Sequence, residues 1–201
     1  DLLESRGLGD VYKRQQFGLL AMPFSEEDGG FNGGPVDIMI ILEAFGTGLI
    51  VEPYIPNIVL SGNLVSKLGN KEQKEAILPN LLSGDMQLAF AFSEPQSRFD
   101  LNDVTTLAEK KGSDFKLNGF KSVVMNGPAA DKLIISARTA GSQLDENGIS
   151  LFIVDRETKG VSLRDYSNID GSKASELTLE DVVLTKDALL GEQDKAFSTI
   201  E

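Results

Sequence analysis

At Ser83-Gly84-Asp85 the apolar pattern of the chain changes period, and this switch limits the possible folds more than any other feature. Before it, apolar residues recur at helical spacing or in solid runs; after it they alternate and β-branched residues rise. Val36 to Phe45 is apolar on almost every face, which predicts a helix buried inside a bundle, ended by Gly46 and Gly48. A second helix is expected from about Pro56 to Leu68, stopped by Gly69. Asn70 with Gln73 has the form of a capping box for a third, with Ala76, Ile77, Leu81 and Leu82 as its buried stripe, interrupted by Pro79.

Beyond the switch, strands are expected at Leu88 to Phe92, Phe115 to Leu117, Val123 to Met125, Lys132 to Ala137, Ile149 to Val154 and Leu177 to Leu184. Asn118-Gly119 reads as a two-residue hairpin between two of them, and Lys111-Gly112-Ser113-Asp114 as another turn. With no crossover helices between these strands, Asp85 to Gly191 reads as an antiparallel barrel or sandwich. The predicted class is α+β: a helical domain, then a β-domain, truncated before a C-terminal helical bundle whose first turns are Ala196 to Glu201. The expected division is 1–15 as a non-native or disordered leader, 16–84 as the helical domain, 85–191 as the β-domain and 192–201 as the start of the next helical domain. The leader, which lacks an initiator Met and ends Asp10-Val11-Tyr12-Lys13-Arg14-Gln15, looks like adaptor read-through; an amphipathic terminal helix is the alternative.

Chemistry is narrowed by what is missing. The chain has no His and no Cys, which excludes within it Ser-His-Asp and Cys-His catalysis, imidazole or thiolate metal sites, and disulfides. A cytoplasmic setting fits, and no metal ligand set is expected. A formal charge of -12 repels nucleic acid phosphates and anionic membranes, and any site for an anionic ligand must gather its cations locally. No apolar stretch is long enough to span a bilayer.

Several motifs carry a family resemblance. Leu88-Ala89-Phe90-Ala91-Phe92-Ser93-Glu94-Pro95 followed by Asp100 is similar to the flavin-contacting stretch of acyl-CoA dehydrogenases. Pro23 to Gly30, Lys67 to Lys74 with Leu78-Pro79, Asn118-Gly119-Phe120-Lys121 with Asn126-Gly127, Glu180 to Leu184 and Leu189-Leu190-Gly191 follow in the family's order. The resemblance covers Phe17 to Glu201 and the family's first two domains.

It implies an FAD-dependent α,β-dehydrogenation of an acyl-CoA thioester. Phe90, Phe92 and Ser93 stand at the cofactor-contacting strand end, Ser93 where the family has Thr and Phe92 able to serve through its main chain. Core packing for Phe90 and a simple turn start for Ser93 remain as alternatives. Arg98, in the adjoining loop, is placed to meet a CoA phosphate of the substrate or else to form a surface ion pair. Glu94 belongs to the loop architecture. The family's catalytic carboxylate lies in its third domain, expected beyond Glu201, so no catalytic residue is assigned.

The departures are Phe99 for the family's loop Ser, Val123 for its flavin-covering Trp and Met125 for its Thr. With them the chain most resembles the small subunit of pimeloyl-CoA-type two-subunit enzymes. That implies homo- or hetero-oligomers with another acyl-CoA dehydrogenase subunit. It leaves a second reading, a non-catalytic subunit that completes its partner's site.

Overall fold

Gly34 and Pro35 open the first helix, α1 (Pro35–Thr47): Pro35 leaves no unpaired amide there, and Asp37 accepts from the Gly34 N–H at 2.8 Å. The structure, a computed structural model, describes residues 18–201, so the leader predicted at 1–15 lies outside the described residues. α1 buries only Ile41 and Phe45, while Val36, Met39 and Ile40 are 63%, 57% and 55% exposed. The expectation of a helix buried on all sides is therefore corrected: one face meets the core, and the rest is apolar surface.

The predicted second helix is present with altered winding. A π-helical segment, Ile55–Gly62, runs directly into α2 (Asn63–Leu68). The Ser61 hydroxyl donates to the Pro56 carbonyl at 2.6 Å, five residues back, within the wide turns. Gly62 sits where a Cβ would come within 2.7 Å of the Phe24 ring, so a glycine lets this helix close on the core.

α3 (Lys71–Ser83) starts on the expected capping box: Asn70 Oδ1 accepts from the Gln73 N–H at 2.8 Å and Gln73 Oε1 from the Asn70 N–H at 3.1 Å. Pro79 does not interrupt it, since its ring lies on the exposed side. Ile77, Leu78 and Leu81 form the buried stripe; Ala76, expected in it, is exposed. Gly84, at φ 82°, ends the helix in the left-handed conformation that glycine adopts without strain.

Eight strands follow: β1 (Leu88–Ala91), β2 (Leu107–Lys111), β3 (Asp114–Met125), β4 (Lys132–Arg138), β5 (Ile149–Asp155), β6 (Val161–Ser167), β7 (Lys173–Leu184) and β8 (Leu189–Leu190). They form one sheet in the order β6-β7-β3-β2-β4-β5-β8, with β1 on β4. The ladders are antiparallel except that β1 and the first residue of β2 pair parallel to β4. A short helix, α4 (Phe197–Ile200), closes the chain.

Two strand predictions need correction. Asn118-Gly119 is not a hairpin: β3 runs straight through it, and the turn falls at Gly112-Ser113 between β2 and β3. The cause is a close approach. A Cβ on Gly119 would lie 2.5 Å from Thr106 Oγ1, so the glycine admits a neighbouring strand instead of turning the chain. β2 and β6 went unforeseen because their residues are largely exposed and polar, with little apolar alternation to show.

β1 ties the two halves together. All four of its residues are buried: Leu88 and Phe90 face the helices with Phe24, Ile58 and Leu81, and Ala89 and Ala91 face the sheet interior with Leu117, Leu133 and Phe152.

Candidate functional site

Where β1 ends, the chain is half-buried at Phe92 and Ser93, turns back into the interior at Glu94 and reaches the surface at Pro95. Phe90 is buried, its ring 4.9 Å from that of the half-buried Phe92, so its side chain is part of the core. Ser93 is half-buried; its carbonyl accepts from the Ser122 N–H at 2.9 Å, and its hydroxyl lies 3.5 Å from that of Ser122. Two hydroxyls thus stand side by side at the junction of β1 and β3.

Beside them β3 carries a bulge between Lys121 and Val124. Val123 takes φ 51°, a left-handed conformation that a β-branched side chain adopts only under strain, and is 51% exposed. A bulge leaves a residue out of the ladder and re-aims its side chain, which is how a sheet opens its backbone to a ligand. Met125, two residues on, is also exposed and lines a cleft of about 690 Å³ between the helices and the sheet. Leu42, Phe45, Tyr54 and Ile55 form the cleft's helical wall, and Lys173 stands on its sheet wall. Tyr54 is buried, donates to the Leu19 carbonyl at 3.0 Å, and has its phenol pushed up to about 12 by that burial.

Below the strand end lies a buried ion pair. Glu94 Oε1 and Lys121 Nζ are 2.7 Å apart with both side chains fully buried. Glu94 Oε1 also accepts from the Thr106 N–H at 3.0 Å, and Oε2 from the Thr105 N–H and Gln96 Nε2, each at 2.9 Å, and from the Thr105 hydroxyl. Burial alone would raise the Glu94 carboxyl, but the Lys121 charge and these donors hold it well below the usual range. Burial lowers Lys121, with Glu94 offsetting only part of the effect. Glu94 is thus bound up in holding the loop, as the sequence resemblance implied.

That loop carries Arg98 and Phe99 to solvent. Arg98 takes φ 51° and is exposed, with no ion pair among the described residues; Phe99 is 97% exposed. The loop's far end is held by Arg138, whose guanidinium donates to the carbonyls of Asn102, Gln143, Asp145 and Asn147 at 2.7–2.9 Å. The structure thus brings Ser93 to Ser122, beside the Val123 bulge, keeps Phe92 on Phe90, places Met125 on the cleft and sets Arg98 apart on the loop. Lys121 was read only as part of a family motif, and no site role was assigned from sequence to Lys121, Ser122 or Arg138. For Lys121 the available signal was a cation on a strand whose other members at Phe115, Leu117 and Val124 are core residues.

Among the described residues, no helix is long and apolar enough to cross a membrane.

Comparison with known proteins adds independent information. Two family models match: the acyl-CoA dehydrogenase N-terminal domain over residues 8–85 and the acyl-CoA dehydrogenase middle domain over residues 89–182. A short-chain specific acyl-CoA dehydrogenase from Clostridium acetobutylicum is 31% identical over 98% of this chain and 53% of its own length. Butyryl-CoA dehydrogenase from Megasphaera elsdenii superposes with a TM-score of 0.83 at 27% identity, covering 94% of this chain and 51% of the other. The ChsE4-ChsE5 complex from Mycobacterium tuberculosis gives 0.84 at 25% identity, covering 94% and 49%. The chain spans about half the length of the relatives it matches.

Proposed function

The chain belongs to the acyl-CoA dehydrogenase family, and from that premise we propose that it forms the N-terminal helical and middle β parts of an FAD-dependent enzyme that dehydrogenates an acyl-CoA thioester at its α,β-bond. The observation that carries this reading is the strand end: two adjacent, half-buried hydroxyls, Ser93 and Ser122, beside a bulge strained at Val123. That donor set fits the polar edge of a flavin ring, whose carbonyl oxygens and ring nitrogens accept hydrogen bonds. Ser93 and Ser122 would hold that edge, with the Phe92 main chain and ring alongside. When bound, FAD would supply the acceptor for the hydride lost from the substrate's β-carbon.

The other residues of the chain bind and orient. The apolar wall of Leu42, Phe45 and Ile55 suits an acyl tail and keeps water from it. Arg98, without an ion pair among the described residues of the exposed loop, is the substrate-side cation for a CoA phosphate. Glu94 is ruled out as the proton-abstracting base, because Lys121, Thr105, Thr106 and Gln96 occupy its oxygens. The base is assigned to a part of the protein beyond this chain, and a reducing, cytoplasmic setting fits the absence of cysteine.

A second reading, a subunit that completes the site of another acyl-CoA dehydrogenase chain, is favoured by Val123. An exposed aliphatic residue where the family has an aromatic one loses stacking area, which in base–aromatic systems contributes roughly 1–3 kcal/mol per ring. The match to a two-component complex points the same way. The test is to express the complete reading frame alone and with the acyl-CoA dehydrogenase gene nearest to it, then measure flavin absorbance per protomer after gel filtration. Weak flavin retention alone and full retention with the second chain support the two-subunit reading. Full occupancy and turnover alone support the self-sufficient enzyme, and no flavin in either case rejects both.

A further inference from the structure

Among the described residues Lys121 is the largest fully buried charged side chain, and its setting exceeds what holding a loop requires. Its ammonium has three protons and three acceptors: Glu94 Oε1 at 2.7 Å, Ser136 Oγ at 3.0 Å and the Phe92 carbonyl oxygen at 3.4 Å. The first two anchor it; the third reaches the peptide that joins Phe92 to Ser93. None of the described peptides is cis, so the Ser93 N–H points opposite to the Phe92 carbonyl, away from Lys121 and out of the sheet interior. A cation on the carbonyl side of a peptide draws electron density toward the oxygen and makes the N–H on the other side a stronger donor. In a chain of hydrogen bonds this strengthening is about 10–30% per bond. The full burial of both charged side chains, in low dielectric, preserves the effect.

We propose that Lys121 is a positioning residue for the cofactor: from inside the sheet it polarises the Phe92–Ser93 peptide, strengthens the Ser93 amide as a donor to the flavin edge and biases the bound ring toward its electron-rich, reduced form. The proposal rests on the FAD reading above. It also explains a feature that loop anchoring leaves unexplained. Glu94 has four donors besides Lys121, enough to fix the loop, yet the chain buries a second charge whose remaining proton is spent on the one carbonyl behind the site.

The test is the midpoint potential of FAD in the complete protein, with its second subunit if the flavin requires one, measured by dye equilibration. The variant K121M/E94Q removes both charges together, so neither is left buried alone. Its preference for reduced flavin should weaken about tenfold, a fall of about 30 mV for a two-electron couple. S136A keeps the ammonium and removes one anchoring acceptor, so its potential should hold or rise. An unchanged potential in the double variant overturns the proposal. So does a fall in S136A, which would show that the potential follows packing around Lys121 rather than its charge, and S136A decides the matter alone if the double variant does not fold. If the unmodified protein takes up no FAD with or without a second subunit, the cofactor reading fails before any potential is measured, and the role of Lys121 falls with it.

Discussion

Between Gly18 and Ser66 the chain has Glu26, Glu27, Asp28, Asp37, Glu43 and Glu52 but not one Lys or Arg, and α1 leaves Val36, Met39 and Ile40 in solvent. From Leu88 to Leu190 the sheet does the reverse, burying a complete ion pair and the guanidinium of Arg138 beneath strands whose apolar side chains mostly point inward. From Gly18 to Ser66 the helical region offers surface without cations, suited to apolar contact and unsuited to phosphates. The sheet region offers fixed polar groups in low dielectric, where a hydrogen bond or charge acts most strongly. Gripping an acyl tail and polarising a cofactor, the two roles proposed above, are different tasks, and they fall to different regions.

The sharpest way to break this contrast is Lys121→Met. Leaving the Glu94 carboxylate buried without its cation should cost about 3–5 kcal/mol of stability in urea unfolding, as for other broken buried pairs. Lys71→Ala, which removes an exposed pair with Glu75, should cost less than about 0.5 kcal/mol. Equal losses would mean that the sheet's polar interior is no more demanding than the helical surface.

Acid should separate the regions next. Glu94 is held below its unfolded pKa, so its contribution is fully present above about pH 4.5 and is lost as pH falls toward about 2. The expected loss is on the order of 2 kcal/mol, seen as a falling thermal midpoint. E94Q should flatten that slope; an unchanged slope would place the acid sensitivity in the helical region.

Smaller effects probe the helices. Asn70→Ala removes the side-chain acceptor of the α3 capping box, leaving the Asn70 N–H to donate to Gln73 Oε1, and should cost about 1 kcal/mol. The mildest change is Met39→Lys on the exposed face of α1, expected to stay within about 0.5 kcal/mol of the parent chain. A larger loss would show that this face is packed in solution and would weaken the division drawn here.

Much of the fold was legible without coordinates, and the part that was not has a common cause. The Asn70–Gln73 box and the β1 strand are set by residues within a few positions of one another, and each appears where the sequence pattern placed it. The left-handed Val123 could not be read from a valine, whose local preference runs against it. At the candidate site, Phe90, Phe92 and Ser93 were visible as a strand end, whereas Ser122 beside Ser93 and Lys121 beneath it depend on which strand lies next to β1.

The sequence by itself determined the helix-then-sheet order, the caps, the absence of His and Cys chemistry and the family motifs, because periodicity, capping and composition act over one or two turns of chain. Tertiary structure decided that Gly119 admits Thr106 rather than turning the chain, that α1 has an open face, and that Glu94 meets Lys121 across 27 positions. Those outcomes turn on which distant surfaces exclude water together, a property of pairs of segments that neither segment carries alone.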